Sequence, residues 1–364
     1  MTRLRSTLLA LLIAILAWLL PTPCRATSVY SAGGLGEPQL EEGARLRALG
    51  GSGVAEFGVD RFSQVNPASM AGVKHLIIQG TIVPAFRRIG ASGLDSENEY
   101  KTEIPSLRAL VLLPARIAVG ASYGVLTDAQ FAIDRAESAG AASNLHIEGV
   151  GGIQTIRLSA ARAITPGLRV GADYEIIAGN FREEWERDFA DTSLATSRDT
   201  LESRYERQGR WRLGAQASVG QWTLGGVYEL KRRLPLTAIE RAAGTTTEIG
   251  GNNLVIPSGF VLGASGPVAP RWEVSAQYRR ANWKRGSLAT DLADFRALER
   301  FSVGVERLGK SEDGAKWRDR LPVRAGLSYL KWPDPIRGAG SPRRRGGAPA
   351  FSRGGEGRRP PRRS

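Results

Sequence analysis

Hydrophobic and polar side chains alternate along several stretches of this chain. Residues 168–178 read LRVGADYEIIA and carry an apolar side chain at every second position, and residues 210–219 and 271–279 repeat the pattern. Because successive side chains of a strand point to opposite faces, each stretch predicts a β-strand with one apolar and one polar face. Further runs of this kind lie at about residues 76–83, 106–113, 116–125, 153–162, 222–231, 255–265, 300–308 and 322–332. We therefore expect about 11 strands.

Two all-β architectures accept this pattern. In an exported soluble sandwich the polar faces meet water, whereas in a transmembrane barrel the apolar faces meet lipid. The runs are close to the ~9–11 residues with which a tilted strand crosses a bilayer. Aromatic residues lie near the strand ends, where they suit a membrane interface: Trp211, Trp222, Trp272, Trp283, Phe301 and Trp332.

The connections between the runs favour the barrel. Long connections, such as residues 180–208 and 234–253, alternate with short ones, such as residues 163–167. Outer-membrane barrels have this asymmetry, with long external loops and short periplasmic turns. The predicted fold is all-β: a transmembrane antiparallel β-barrel of about 12–14 strands when complete, with about 11 present here and an N-terminal plug segment.

The first 26 residues predict export. They contain Arg3 and Arg5, an apolar run from Leu8 to Leu20 and a small residue at Ala26, which is the order of a cleavable secretory signal peptide. The only cysteine is Cys24, so cleavage after Ala26 would leave no thiol and no disulfide. After this leader no apolar run approaches the ~18 residues of a transmembrane helix.

The net charge of +14 does not indicate a nucleic-acid partner, because much of it lies in one segment. Nine of the 50 basic residues lie in residues 337–364, and the rest of the chain is close to neutral. A neutral body argues against an electrostatic surface for DNA or RNA, so we expect no nucleic-acid partner.

The polar faces of the strands supply the candidate functional residues. They are expected to line the lumen and to form a permeation path or a lattice of paired charges: Arg169, Asp173, Glu175, Arg210, Arg212, Glu229, Lys231, Glu273 and Arg279. His75 and His146 have neither a nearby catalytic serine nor a partner for a zinc site. We therefore predict no enzyme activity, no catalytic residue, no metal and no cofactor.

One segment before the first strand resembles a known family. Residues 43–73 read GARLRALGGSGVAEFGVDRFSQVNPASMAGV, which is similar to the N-terminal motif of FadL-like outer-membrane transporters of hydrophobic compounds and of related PorV-like barrels. The late segments at residues 256–283, 300–309 and 320–332 also resemble this family. By resemblance, a plug inside the barrel would contain Gly50, Gly51, Gly53, Asp60, Asn66, Pro67 and Ala68.

The resemblance implies a function and a domain plan. It implies uptake of small hydrophobic molecules, such as long-chain fatty acids or aromatic hydrocarbons, across the outer membrane of a Gram-negative bacterium, by binding and diffusion. The alternative is a structural or secretion-associated PorV-like barrel that acts as a docking partner. The expected partners are outer-membrane lipid, a hydrophobic ligand and the barrel-assembly machinery. The expected segments are a signal peptide (1–26), a plug or hatch (27–74), a barrel (75–339) and a tail (340–364).

The tail differs from everything before it. Residues 340–364 are rich in Arg, Gly and Pro, and they stand where a closing strand is expected, since 11 strands leave an antiparallel barrel open. Our hypothesis is a frameshift near Gly340, and a disordered basic tail is the alternative. An alternating strand in another reading frame of the DNA would support the frameshift, and its absence from both frames would refute it.

Overall fold

The computed structural model describes residues 36–39, 42–58, 61–89, 97–137, 143–191, 193–242, 244–283, 297–310 and 316–331. The predicted leader at 1–26 and the tail at 340–364 lie outside the described residues. Helices are short: α1 (Ala44–Ala48), α2 (Trp317–Arg320) and two 3-10 helices, Pro67–Gly72 and Pro114–Arg116. The prediction of an all-β chain is confirmed.

Fifteen strands make up one sheet within the described residues. Their bounds are β1 (Glu37–Pro38), β2 (Ile77–Ile89), β3 (Glu97–Leu113), β4 (Ile117–Asp128), β5 (Phe131–Glu137), β6 (Ser143–Thr165), β7 (Leu168–Phe189), β8 (Ser197–Val219), β9 (Trp222–Glu229), β10 (Arg232–Ala242), β11 (Thr245–Ile256), β12 (Gly259–Ala269), β13 (Trp272–Ala281), β14 (Leu298–Arg307) and β15 (Val323–Lys331).

The main path of the sheet has the order β2-β3-β4-β6-β7-β8-β9-β12-β13-β14-β15, and every neighbouring pair is antiparallel. These 11 strands coincide with the 11 runs of alternating residues. The remaining strands extend the path: β5 pairs with β6, β10 pairs with β8 and β11, and β1 pairs with β4.

The expected long connections are mostly strand. Residues 180–208 were predicted as a loop, but β7 continues to Phe189 and β8 begins at Ser197. Opposite charges stabilise this hairpin, since Arg198 contacts Glu184 at 3.1 Å and Glu186 at 2.7 Å. Alternation is lost here because the exposed hairpin carries polar residues on both faces, so the sequence pattern does not reveal its strands.

Burial in the sheet is the reverse of that in a soluble protein. Leu168, Trp211 and Leu213 are exposed, and Trp211 is 50% accessible. On the opposite face of the same strands the charged side chains are buried: Arg169, Asp173, Glu175, Arg210 and Arg212. A sandwich would bury its apolar faces, so this arrangement identifies a barrel whose outer face meets lipid.

The N-terminal segment fills the inside of the sheet. Residues 42–58 and 61–73 lie on the inner face, and their backbone or side-chain atoms approach glycines of six strands: Gly171, Gly214, Gly225, Gly263, Gly304 and Gly326. Several of these glycines are register partners, including Gly171 with Gly214 and Gly304 with Gly326. A Cβ atom at any of them would overlap atoms of the plug, so the glycines let the plug lie directly on the wall.

The described path is open between β2 and β15. Because it contains 11 antiparallel strands, its first and last strands run in the same direction. An antiparallel closure of this wall therefore requires an odd number of additional strands.

Two adjacent glycines of β9 test the contact between plug and wall. Gly225 faces the plug, where a Cβ atom would overlap the backbone of Val54, whereas a Cβ atom on Gly226 would lie 3.3 Å from a methyl group of Leu262. We expect Gly225→Ala to destabilise the protein by ~1–3 kcal/mol through overpacking. The measurement is thermal unfolding in detergent, together with protease cleavage of the plug.

Gly226→Ala is the matched control and should change neither readout appreciably. Equal effects of the two substitutions would contradict a specific contact at Gly225.

Candidate functional site

A layer of buried charges crosses the inside of the barrel. Glu175 on β7 is fully buried, at 0% exposure, and accepts hydrogen bonds from Nε of Arg157 at 2.6 Å and from Nε of Arg210. Burial of an ion is tolerated only where partners surround it, and here two guanidinium groups flank one carboxylate. The layer therefore links β6, β7 and β8.

A second group of charges extends the layer towards β13. Nη1 of Arg212 lies 3.1 Å from Oδ2 of Asp173, and its Nε lies 3.5 Å from Oε1 of Glu229. Nη2 of Arg279 contacts the same carboxylate of Glu229 at 2.9 and 3.0 Å. The remaining Nη2 of Arg212 donates to the carbonyl of Val65 at 2.7 Å, so this arginine joins the wall to the plug.

Three of the candidate lumen residues lie apart from this layer. Arg169 is buried, lies 3.4 Å above the ring of Phe57 in the plug and hydrogen-bonds Ser218. Glu273 pairs with Arg61 of the plug at 2.5 Å. Lys231 is exposed between β9 and β10, so the structure does not place it with the buried charges.

Asn66 organises the plug. Its Oδ1 accepts from the backbone N–H of Ala68 at 3.0 Å and caps the 3-10 helix that begins at Pro67. Its Nδ2 donates to the carbonyl of Val54 at 2.8 Å and to that of Ala215 in the wall at 3.1 Å. One fully buried amide thus joins two parts of the plug to β8.

The glycines of the plug motif have separate roles. Gly50 and Gly51 have φ values of 68° and 80°, which favour glycine, and they form the turn after α1. Gly53 packs against Ser63, Leu46 and Glu42, leaving no room for a side chain. Asp60 lies outside the described residues.

An ion network inside the plug was not visible in the sequence pattern. Arg45 contacts Glu56 at 2.6 Å and also pairs with Glu306 of β14, which in turn contacts Arg324 at 2.7 Å. Burial raises the pKa of Glu56 above its ordinary value, and the charge of Arg45 opposes this. Acidification therefore neutralises Glu56 before it neutralises an ordinary glutamate. The segment lacks periodicity, so nothing in its sequence pointed to these pairs.

Other missed residues had a detectable signal. Arg157 lies at an inward position of an alternating run, between Ile156 and Leu158. Gln216 and Gln277 also follow the inward alternation, and both hydrogen-bond the backbone of the plug. Assigning every second residue of each predicted strand to the inner face would have identified all three as inward-facing residues.

An apolar layer lies beyond the charges, on the side away from the short connections. Its buried members are Ile153, Ile177, Tyr205, Leu234, Leu254 and Ile256. Leu126, Leu236 and Trp283 pack against them. Plug, charges and apolar side chains therefore fill successive levels of the barrel.

The outer wall carries an apolar depression of about 810 Å³. Its floor follows a row of register partners that crosses five strands: Ala109, Ala121, Leu158, Tyr174 and Trp211. The small side chains of Ala109 and Ala121 in this row, and of Ala160 and Ala172 in the next row, make the wall concave. The larger side chains of Leu76 and Trp211 border the depression. We call this surface the outer groove.

The wall splits near the outer groove. Within the described residues, the ladder between β3 and β4 ends at Ser106 and Gly124, next to Pro105, which has no N–H to donate. Beyond that point β3 pairs with β2, whereas Thr127 and Asp128 of β4 pair with β1. On β3 the outer groove begins at Ala109, three residues and ~10 Å along the strand from the end of the ladder at Ser106. Strand β1 thus lies along the freed edge of β4.

Solved structures share this architecture. A crystal structure of the toluene transporter TodX from Pseudomonas putida is 15% identical, covers 80% of this chain and 84% of its own, and has a TM-score of 0.52. A second TodX structure is 15% identical, covers 82% and 85%, and scores 0.50. A FadL homologue of Pseudomonas aeruginosa is 13% identical, covers 86% and 81%, and scores 0.49. No curated protein sequence matches the chain.

The protein has the fold of the FadL-type outer-membrane β-barrels, and the resemblance seen in the sequence is confirmed at this level. The TodX structures are of a transporter, not of an enzyme. By family, the chain belongs to BamG, whose model matches residues 4–215. The family name thus differs from the one that the sequence motif suggested.

The described residues contain no cluster of three or more His, Cys, Asp or Glu able to hold a metal ion. None of the helices in these ranges is long and apolar enough to cross a membrane.

The buried charges predict a contrast between two glutamates. Glu175 and Glu184 each contact two arginines, but Glu175 is fully buried whereas Glu184 lies on the exposed hairpin. Glu175→Gln leaves two guanidinium groups without their counter-ion. We expect it to lower the free energy of unfolding by ~3–5 kcal/mol. Glu184→Gln should lower the free energy of unfolding by only ~0–1 kcal/mol, because the ion pairs that it removes are accessible to solvent.

Urea unfolding of the refolded barrel in lipid vesicles measures both values. A cost for Glu175→Gln as small as that for Glu184→Gln would show that the layer does not stabilise the barrel.

Proposed function

We propose that this chain is an outer-membrane barrel for the uptake of small hydrophobic molecules, such as long-chain fatty acids or aromatic hydrocarbons, in a Gram-negative bacterium. Binding and diffusion would suffice, without covalent chemistry, metal or cofactor. The leader at 1–26 would direct export. The observation that carries the proposal is the outer groove beside the split between β3 and β4.

The contents of the barrel favour a route along or through the wall. An apolar molecule in the lumen would meet Asn66 and the buried charges around Glu175 and Arg212, which it cannot hydrogen-bond. Separating such groups from their partners is costly. The outer groove offers apolar contacts instead, at ~25 cal/mol for each Å² of apolar surface removed from water.

In the proposed route, strand β1 covers the free edge of β4 beside the split. It holds β4 by the register pairs Glu37–Asp128 and Pro38–Thr127, and the N–H of Gln39 donates to the carbonyl of Leu126 at 2.9 Å. Three residues form few contacts, so displacement of β1 would expose the freed edge of β4 at small cost.

A disulfide between β1 and β4 tests the route. Register partners in antiparallel strands have Cα atoms ~4.5–5.5 Å apart, within the range that a disulfide spans. We expect oxidised Glu37→Cys/Asp128→Cys, made with Cys24→Ser, to transport labelled fatty acid or toluene into liposomes at least about tenfold more slowly. A reductant should restore the rate.

Thr223→Cys/Ser265→Cys is the matched control, because it links register partners of β9 and β12 away from the split. Its oxidation should leave transport unchanged. Full transport through the oxidised β1–β4 variant would refute a route past β1.

A docking role is the second candidate. The match to BamG supports it, since that name points to the barrel-assembly machinery, and so does a lumen filled by plug and charges. In this role the barrel would be a structural partner in the outer membrane and would need no ligand.

Co-purification in mild detergent distinguishes the two candidates. A docking barrel should co-purify with subunits of the barrel-assembly machinery, identified by mass spectrometry. After reconstitution it should bind neither fatty acid nor aromatic hydrocarbon. An unrelated outer-membrane barrel of equal abundance is the control. Ligand uptake without such recovery would exclude docking as the main role.

A further inference from the structure

The connection between β14 and β15 differs from the other connections on its side of the barrel. The other turns on that side are short, whereas this one spans residues 308–322 and contains α2. Two arginines hold it in place: Arg271 donates to the carbonyls of Leu308 and Asp319 at 2.8–3.0 Å, and Arg307 donates to that of Arg318 at 3.1 Å. The described parts of this connection, residues 308–310 and 316–322, are therefore held against the rim.

Its surface combines exposed apolar side chains with cations. Trp317 is 68% exposed, and Leu321 and Val323 are more than half exposed. Lys316, Arg318 and Arg320 are exposed beside them. The guanidinium of Arg318 lies 5.3 Å from the centre of the Trp317 ring, which places a cation directly over an aromatic group.

Strand register places this surface at the edge of the lipid-facing wall. Trp272, Arg307 and Val323 are successive register partners across β13, β14 and β15. Val323 shares the outward face of β15 with Leu327, which is 78% exposed, whereas Gly326 faces the plug. The connection therefore begins and ends at the level of Trp272, where the apolar wall meets the short-connection rim.

Among the described residues, the acidic groups near this surface are fewer than its cations. Glu306 lies on the inner face and is bound by Arg45 and Arg324. Asp319 is the acidic residue within α2, against three exposed cations. Glu312 and Asp313 of the same connection lie outside the described residues.

We propose that this surface, residues 316–323 with Arg307, binds the phosphate of anionic phospholipid headgroups at the short-connection side of the membrane. A rim of Trp and Arg or Lys suits an interface in which rings lie at headgroup level and cations meet phosphate. An acidic protein would match the charge, but it would not require Val323 to lie in the outward row of the membrane wall. Lipid binding at this surface does not depend on whether the barrel transports a ligand.

Lipid-dependent stability tests the proposal on the full chain in neutral detergent. Phosphatidylglycerol should raise the unfolding temperature more than phosphatidylcholine does, and Lys316→Gln/Arg318→Gln/Arg320→Gln should weaken the apparent affinity for phosphatidylglycerol at least about tenfold, since each cation near an anionic surface contributes to attraction. Trp317→Phe should also reduce fluorescence quenching by brominated lipid.

Arg182→Gln/Arg198→Gln/Arg204→Gln is the matched control, because it removes three exposed arginines from the hairpin at the opposite rim. It should retain the response to phosphatidylglycerol. Equal loss in both triple variants, an equal response to inorganic phosphate, or unchanged quenching in Trp317→Phe would overturn the proposal. Binding of an acidic protein without any lipid response would also overturn it.

Discussion

The close approach of the plug backbone to the inner wall is the constraint on which this structure depends. Glycines on six strands remove the side chains that would otherwise separate plug from sheet. Once the plug lies on the wall, its polar groups need partners there, and Asn66 and Arg212 provide hydrogen bonds between the two. Packing and polar satisfaction are therefore linked in this barrel, because Asn66 and Arg212 donate hydrogen bonds across the contact that glycine permits.

The charges follow from the same constraint. Apolar side chains face lipid, so polar ones face inwards, where a filled lumen leaves little water to solvate them. Glu175 and Glu229 are surrounded by arginines from β6, β8 and β13, which offsets the cost of burial. The accessible apolar surface lies instead on the wall, where the outer groove is close to the split beside β1.

Sequence reasoning succeeded where a residue's role depends on its own strand. Alternation identified 11 strands and the inward position of Asp173, Glu175, Arg210 and Arg212. It failed for the hairpin at residues 180–208, because exposed strands with two polar faces lose the period. It also grouped Lys231 with the buried charges, although the strand is interrupted between β9 and β10 and that side chain is exposed.

The sequence by itself determined the 11 strands of the main path and their two faces, since these rest on local periodicity, and its motif at residues 43–73 indicated the plug by resemblance to a known family. Only the tertiary structure decided which charges pair, that Arg45 joins Glu56 to Glu306, and that β1 lies along the split. The physical reason is register. Cross-strand neighbours are distant in sequence, and their contacts exist only after strands align and the plug is enclosed.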